Sequence, residues 1–177
     1  MNYAVVSSSL HPDSRSRILA RMASGLLQEN GHAVDLIDAG DLELPVSDGH
    51  SAWKHHHSMD IQDRIGGADG IILAMGIHNY GSSATAKNIV ELGARGWNDK
   101  VVGLLCAAGG VRGYMGVMHL ANSLMLDFHS LIIPRIVYAT ADDFDGDEIA
   151  STEVAKRVGE LIEQFVNVSI RLHESNG

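Results

Sequence analysis

The chain holds one cysteine, Cys106, among 177 residues. An internal disulfide is therefore impossible, and no charged segment followed by an apolar run opens the sequence as a secretory leader would, so a reducing cytoplasm is the expected location. Basic residues are scarce: 13 Lys and Arg stand against 22 Asp and Glu, a formal net charge of −9. Such a surface lacks the cationic footprint that counterion release from nucleic acid requires, and nucleic acid is not an expected partner. Apolar runs are interrupted by charge or glycine well before the roughly 20 residues that span a bilayer, so no membrane association is expected. The pattern GxxxxGK(S/T) is absent, which leaves a triphosphate P-loop unsupported, and GxGxxG does not follow the first apolar run, which weakens a dinucleotide site. Serines stand where a receiver-type phospho-acceptor site would need carboxylates.

What is present is a regular alternation. Apolar runs rich in Val and Ile recur at Tyr3 to Val6, Ala33 to Ile37, Gly70 to Met75, Val101 to Cys106 and Leu131 to Tyr138, and each reads as a buried strand. Segments with helical spacing lie between them: Ile18, Met22 and Leu26 share one face, as do Val117, Ala121, Leu124, Met125 and Phe128, and later Val154, Val158, Leu161, Ile162, Phe165 and Val166. Strands alternating with helices predict an α/β fold with a parallel sheet covered on both faces, because right-handed crossovers put helices there. Five strands suit the doubly wound order 2-1-3-4-5, whose ligand crevice lies beyond the carboxyl ends of strands 1 and 3. Residues 1–177 read as a single domain, since the chain is long enough for one packed core and short for two. A polar connection from Asp41 to Asp60 is longer than the common loop of about 4 to 6 residues, which marks it as a functional loop or a contact surface.

Three unusual loops follow strands 1, 3 and 4, and this architecture sets them side by side. The first, SSSLHPDSRS from Ser7 to Ser16, puts hydroxyls and backbone N–H groups at the start of a helix, where aligned peptide dipoles favour an anion. Capping explains one such residue, Ser14 or Asp13, but not the cluster. Ser9, His11, Ser14, Arg15 and Ser16 are the candidate phosphate cradle. The second loop, Gly76 to Ser83, offers His78, Asn79 and Tyr80, with Ile77 and Gly81, as a polar wall able to hydrogen-bond or stack on an aromatic ring. The third, Ala107 to Gly110, is nearly free of side chains, so a flat ligand can lie close to its backbone at Ala108, Gly109 and Gly110. Cradle, polar wall and bare wall together describe a mononucleotide with a large planar ring.

On these residues the chain resembles the NAD(P)H-dependent FMN reductase family, from about Met1 to Ile170. That family's first loop reads S-x-S-L-R-x-x-S-x-N; Ser9 and Ser14 match, His11 stands for the usual Arg and Ser16 for the usual Asn. Its second loop, P-x-Y-N followed by L-K-N, is matched by Asn79 and by Lys87 and Asn88, with Gly76 for Pro and His78 for Tyr. Ala108, Gly109, Gly110 and Gly113 match its small-residue third loop. The resemblance implies a flavodoxin-like three-layer sandwich, bound FMN, hydride transfer from NADPH or NADH, and a small electron acceptor such as a flavin or quinone. It also implies a homodimer or homotetramer with the flavin site near the interface. No catalytic side chain is assigned, because the cofactor carries the electron chemistry. Two other functions share these residues: a flavodoxin-type electron carrier and a non-catalytic sensor of a flavin nucleotide.

Other conspicuous stretches read as structural. Consecutive histidines at His55 to His57 cannot all face one ion, so no metal site is expected there. DDFDGDE from Asp142 to Glu148 lacks the spacing of a calcium loop, and Asp145 or Asp147 is expected to cap the last helix. Between Gly113 and Phe128 there are more apolar positions than one core-facing stripe absorbs, which predicts a self-association face with Met118 pointing outward.

Overall fold

The computed structural model describes residues 1–175, so the last two residues of the expected domain lie outside the described residues. Its strands are β1 (Asn2–Ser7), β2 (Ala33–Asp38), β3 (Gly70–His78), β4 (Gly81–Ser82), β5 (Val101–Ala108), β6 (Leu131–Ile132), β7 (Val137–Ala139), β8 (Phe144–Asp145) and β9 (Glu148–Ile149). The helices are α1 (Arg15–Glu29), α2 (His56–Gly66), α3 (Ala84–Gly93), α4 (Met118–Phe128) and α5 (Thr152–Ser175). The main sheet runs β2-β1-β3-β5-β6 in parallel, with β7 also paired to β5. With the two-residue β4 set aside, this is the expected order 2-1-3-4-5.

The period of two along each strand divides the core into two layers. Ala4, Val6, Ile71, Leu73 and Leu104 face Ile61, Ile65, Ile89, Val90, Leu120 and Leu124 of α2, α3 and α4. Their neighbours Tyr3, Val5, Ile72, Ala74 and Leu105 face Leu19, Leu27, Leu161, Ile162 and Phe165 of α1 and α5. Each large apolar side chain buried this way stabilises the fold by roughly 1.5–3 kcal/mol relative to exposure. Burial also pushes the Cys106 thiol up to about 12, so this cysteine is a packing residue.

Local chemistry alters several expectations. The run Leu131 to Tyr138 is two strands, not one: Val101 faces Leu131 while Leu105 faces Val137, and the extra residues loop out around Pro134, which has no N–H for the ladder. The stretch after β3 is a hairpin, β3 to β4, with Asn79 (φ 50°) and Tyr80 (φ 63°) both left-handed at its turn. On α1 the fully buried face is Leu19, Ala20, Ala23 and Leu27; Ile18, Met22 and Leu26 flank it half-buried, because small Ala residues admit the sheet more closely. His56 and His57 open α2 and do not sit on a loop, and His57 Nδ1 accepts from Glu43 N at 2.8 Å. Asp145 and Asp147 belong to the β8–β9 hairpin and cap nothing on α5, whose first turn is capped by Ser151 Oγ accepting from Val154 N at 3.3 Å.

The connection from β2 to α2 is tied down along its length. Asp48 accepts from the N–H groups of His50, Ser51 and Ala52 at 2.8–3.0 Å. Asn88 of α3 accepts from Ser47 N at 2.8 Å and donates to Pro45 O at 2.9 Å, and Trp53 Nε1 donates to Glu91 O at 3.0 Å. The segment is thereby held against α3.

Candidate FMN site

The carboxyl ends of β1, β3 and β5 converge, and two adjoining cavities open there. Of the five serines in the first loop, two serve the sheet: Ser7 is buried at the end of β1, and Ser8 Oγ donates to Ala74 O at 2.9 Å. The other three, Ser9, Ser14 and Ser16, line a cavity of about 310 Å³ together with His11, Asp13 and Arg15. Gly76, Ile77 and His78 of β3, Ala107 and Ala108 at the end of β5, and Gly109 close it.

Ser14 is the N-cap of α1, yet among the described residues it makes no side-chain capping bond; its Oγ lies 2.9 Å from Ser16 Oγ. Arg17 N and Ile18 N donate to Ser14 O, which leaves the N–H groups of Arg15 and Ser16 without an acceptor inside the helix. No acidic residue occupies the first turn of α1. The helix therefore presents its positive end and two free donors beside three hydroxyls, a set suited to a phosphomonoester.

The second cavity, about 490 Å³, shares Ile77, Ala108 and Gly109 with the first. Asn79 and Tyr80 of the hairpin turn form one side; Gly110, Val111, Arg112, Gly113 and Tyr138 form the other. A Cβ added at Gly109 or Gly110 would meet no atom within 4 Å. Gly110 has extended backbone angles (φ −171°, ψ 177°) open to any residue, so neither internal packing nor backbone geometry demands glycine there. Their missing side chains leave room for a flat ligand. Tyr138 Oη donates to Gly110 O at 2.8 Å and fixes that wall; burial pushes its phenol pKa up, which keeps it a donor. The lining of this cavity contains no carboxylate, imidazole or thiol.

Thirteen of the sequence candidates thus line one cavity or the other. Gly81 lines neither, because it pairs with His78 in the hairpin ladder. Sequence reasoning did not name Asp13, Ala107, Val111, Arg112, Gly113 or Tyr138 as site residues. Tyr138 was findable as the polar aromatic at the end of the strand beside β5. Tyr80, exposed by 69%, has a left-handed backbone and lies close against Gly116: a Cβ at Gly116 would lie 2.8 Å from Tyr80 C and O, so only glycine admits the turn there.

The model of the NADPH-dependent FMN reductase family matches residues 1–145. The chain belongs to that family. It is therefore an NAD(P)H-dependent oxidoreductase with FMN as its cofactor, and the donor set and bare wall described above fit that group. The chain is 24% identical, over 185 aligned positions, to a probable NADPH:quinone oxidoreductase 1 of Oryza sativa subsp. japonica, covering 98% of this chain and 94% of that protein. Among solved structures, FerB, a flavoenzyme NAD(P)H:(acceptor) oxidoreductase from Paracoccus denitrificans, superimposes with a TM-score of 0.77 at 21% identity, covering 96% of this chain and 97% of its own. RosB, solved with 8-demethyl-8-formylriboflavin-5'-phosphate, gives a TM-score of 0.80 at 17% identity over 98% of this chain and 81% of its own.

Proposed function

We propose that this FMN reductase holds the 5'-phosphate in the cavity of Ser9, Ser14 and Ser16 and lays the flavin ring along Ala108 to Gly110, reducing a small planar acceptor of the quinone or flavin class. The observation that carries this reading is the junction of the two cavities at Ile77, Ala108 and Gly109, one rich in hydroxyls and N–H donors and the other walled by backbone. When bound, FMN would supply the two-electron chemistry between a nicotinamide donor and the acceptor. The protein's own part is positioning. Hydroxyls and helix N–H groups would anchor the anion, His11 and Arg15 would add donors at its edge, and the backbone from Ala108 to Gly110 would border the ring. Tyr80 borders the ring cavity and His78 the adjoining one, and donor and acceptor would enter in turn on the Tyr80 side. With no titratable acid or base in the ring cavity except tyrosine and arginine, the protein's contribution is orientation.

NADPH is the proposed donor and the quinone class the proposed acceptor, on the family description and the named function of the rice relative. Among the described residues no helix is long and apolar enough to cross a membrane, and a lone buried cysteine supports the cytoplasm as the location. The proposed assembly is a homodimer or homotetramer formed across the groove between α3 and α4. That groove, about 710 Å³, is lined by Trp53, Val90, Leu126 and Phe128, and Leu126 is 80% exposed. The outward residue is not Met118, which packs half-buried against the core, but Leu126 with Met125 and Met115. Residues 1–177 are taken as one FMN-binding domain.

Anaerobic mixing of the FMN-loaded protein with NADPH tests the reading. Rapid bleaching of the flavin absorbance followed by reoxidation on adding a quinone is the expected result. Bleaching only with a reduced protein donor would make it an electron carrier, and no redox response would make it a sensor.

A further inference from the structure

Arg17 lines neither cavity, yet its guanidinium is wired to the loop that forms the first one. Nε and Nη2 donate to the two carboxylate oxygens of Asp38 at the end of β2. Nη1 donates to His11 O at 2.8 Å and Pro12 O at 2.6 Å, and Nη2 also reaches Ser9 O at 3.2 Å. One side chain on α1 thus collects three carbonyls of the same short loop, and the pair with Asp38 is largely buried, at 12% and 16% exposure. The guanidinium fits because residue 40 has no side chain: a Cβ on Gly40 would lie 2.7 Å from Nη2. Gly40 N meanwhile donates to Asp38 Oδ1 at 3.0 Å, which fixes the carboxylate.

The consequence for the cavity follows from peptide geometry. In a trans peptide the N–H points opposite to the C=O. With Pro12 O held toward Arg17, the next amide, Asp13 N–H, points the other way and donates to His11 Nδ1 at 3.1 Å. An imidazole that accepts at Nδ1 carries its N–H at Nε2, so His11, which lines the cavity, is left with a donor. The charge of Arg17 is balanced by Asp38, so its influence on an anion in the cavity acts through loop shape and not as a free cation.

We propose that Arg17 is a positioning residue for the cofactor phosphate: with Asp38 and Gly40 it holds the Ser9–Pro12 loop in the form that presents Ser9 and His11 to a phosphomonoester. This rests on the reading of the first cavity as the phosphate site. Arg17→Lys cannot reproduce it, because an ammonium lacks the planar fork that meets a carboxylate and three carbonyls together.

The test is titration of the apoprotein with FMN and with riboflavin, which differ only in the phosphate, alongside apo thermal stability. For the unmodified chain FMN must bind more tightly than riboflavin; equal affinities overturn the phosphate reading and this proposal with it. Arg17→Met and Arg17→Lys are expected to lower FMN affinity by about tenfold while riboflavin affinity stays within about twofold. Gly40→Ala, which leaves every loop side chain in place and presses first on the guanidinium, with Asp38 Oδ1 the next contact at 3.3 Å, is expected to give the same selective loss and serves where the Arg17 variants fold poorly. If FMN still outbinds riboflavin by the original margin in Gly40→Ala and in the Arg17 variants, with only thermal stability reduced, Arg17 is a structural tie and the proposal fails.

Discussion

At the Ser9–Ser16 end of the cleft, proposed to hold the phosphate, the polar groups are coordinated with one another: Ser14 with Ser16, His11 with Asp13 N–H, and three loop carbonyls with Arg17. At the ring end the wall is backbone, Gly109 and Gly110 face open space, and the one conspicuous side chain opposite, Tyr80, sits on a left-handed turn. On the proposed reading, the first end recognises by supplying donors, the second by withholding side chains. A phosphomonoester needs charge-assisted hydrogen bonds in fixed directions, whereas a planar ring needs area and close approach, so one cofactor explains both designs.

If that contrast is sound, the two ends should respond differently to substitution. The largest effect is expected from Ser9→Ala with Ser14→Ala, which removes two donors to a charged group at roughly 1.5–3 kcal/mol each, so FMN affinity should fall on the order of a hundredfold with riboflavin little changed. Fluorescence titration checks this; equal losses for both ligands would show that the serines are not phosphate ligands. At the other end, Gly110→Val should weaken FMN and riboflavin together by about tenfold, at a cost of about 1–2 kcal/mol in binding, while the apo melting temperature holds.

Assembly gives a smaller contrast. Leu126→Asp should shift sedimentation toward monomer and leave monomer stability unchanged, while Met118→Asp, which intrudes on the core, should lower stability by roughly 1–3 kcal/mol. Tyr80→Gly should raise apo stability by about 1 kcal/mol in a denaturant series, because glycine removes the left-handed penalty at φ 63°. The same variant should raise KM for the acceptor if Tyr80 borders its entry.

The smallest effect concerns acid. Backbone N–H donation from Thr140 holds the Asp143 carboxyl below the ordinary carboxylate range, helped by Thr140 Oγ1. A carboxyl whose folded pKa is depressed contributes stability above its unfolded pKa, about 4, and that contribution is lost as pH falls through the folded value. Asp143→Asn should therefore flatten the melting temperature's decline below about pH 4, measured by thermal scans across pH.

How much of this was legible beforehand depends on the distance over which each feature is encoded. The buried strands were visible as Val and Ile runs, and parallel order alone brought the Ser9, Asn79 and Gly109 loops to one edge. The β3–β4 hairpin was not visible, since Asn-Tyr is a poor match for the Asn-Gly signal and the close approach of Gly116 to the turn is a long-range contact. The break at Pro134 was legible in principle, because proline cannot donate to a central ladder, yet the apolar run around it reads as one strand. Arg17 stayed hidden because it acts on main-chain carbonyls, and no residue pattern records where a carbonyl points.

The central claim is that the cavity at the start of α1 closes on a terminal phosphomonoester. Titrating the apoprotein with FMN and with FAD under the same conditions tests it most directly. The account predicts one FMN per chain and FAD weaker by about tenfold or more, since a diphosphate carrying adenosine must leave the Ser9–Ser16 cavity. FAD binding as tightly as FMN, or more tightly, would contradict it.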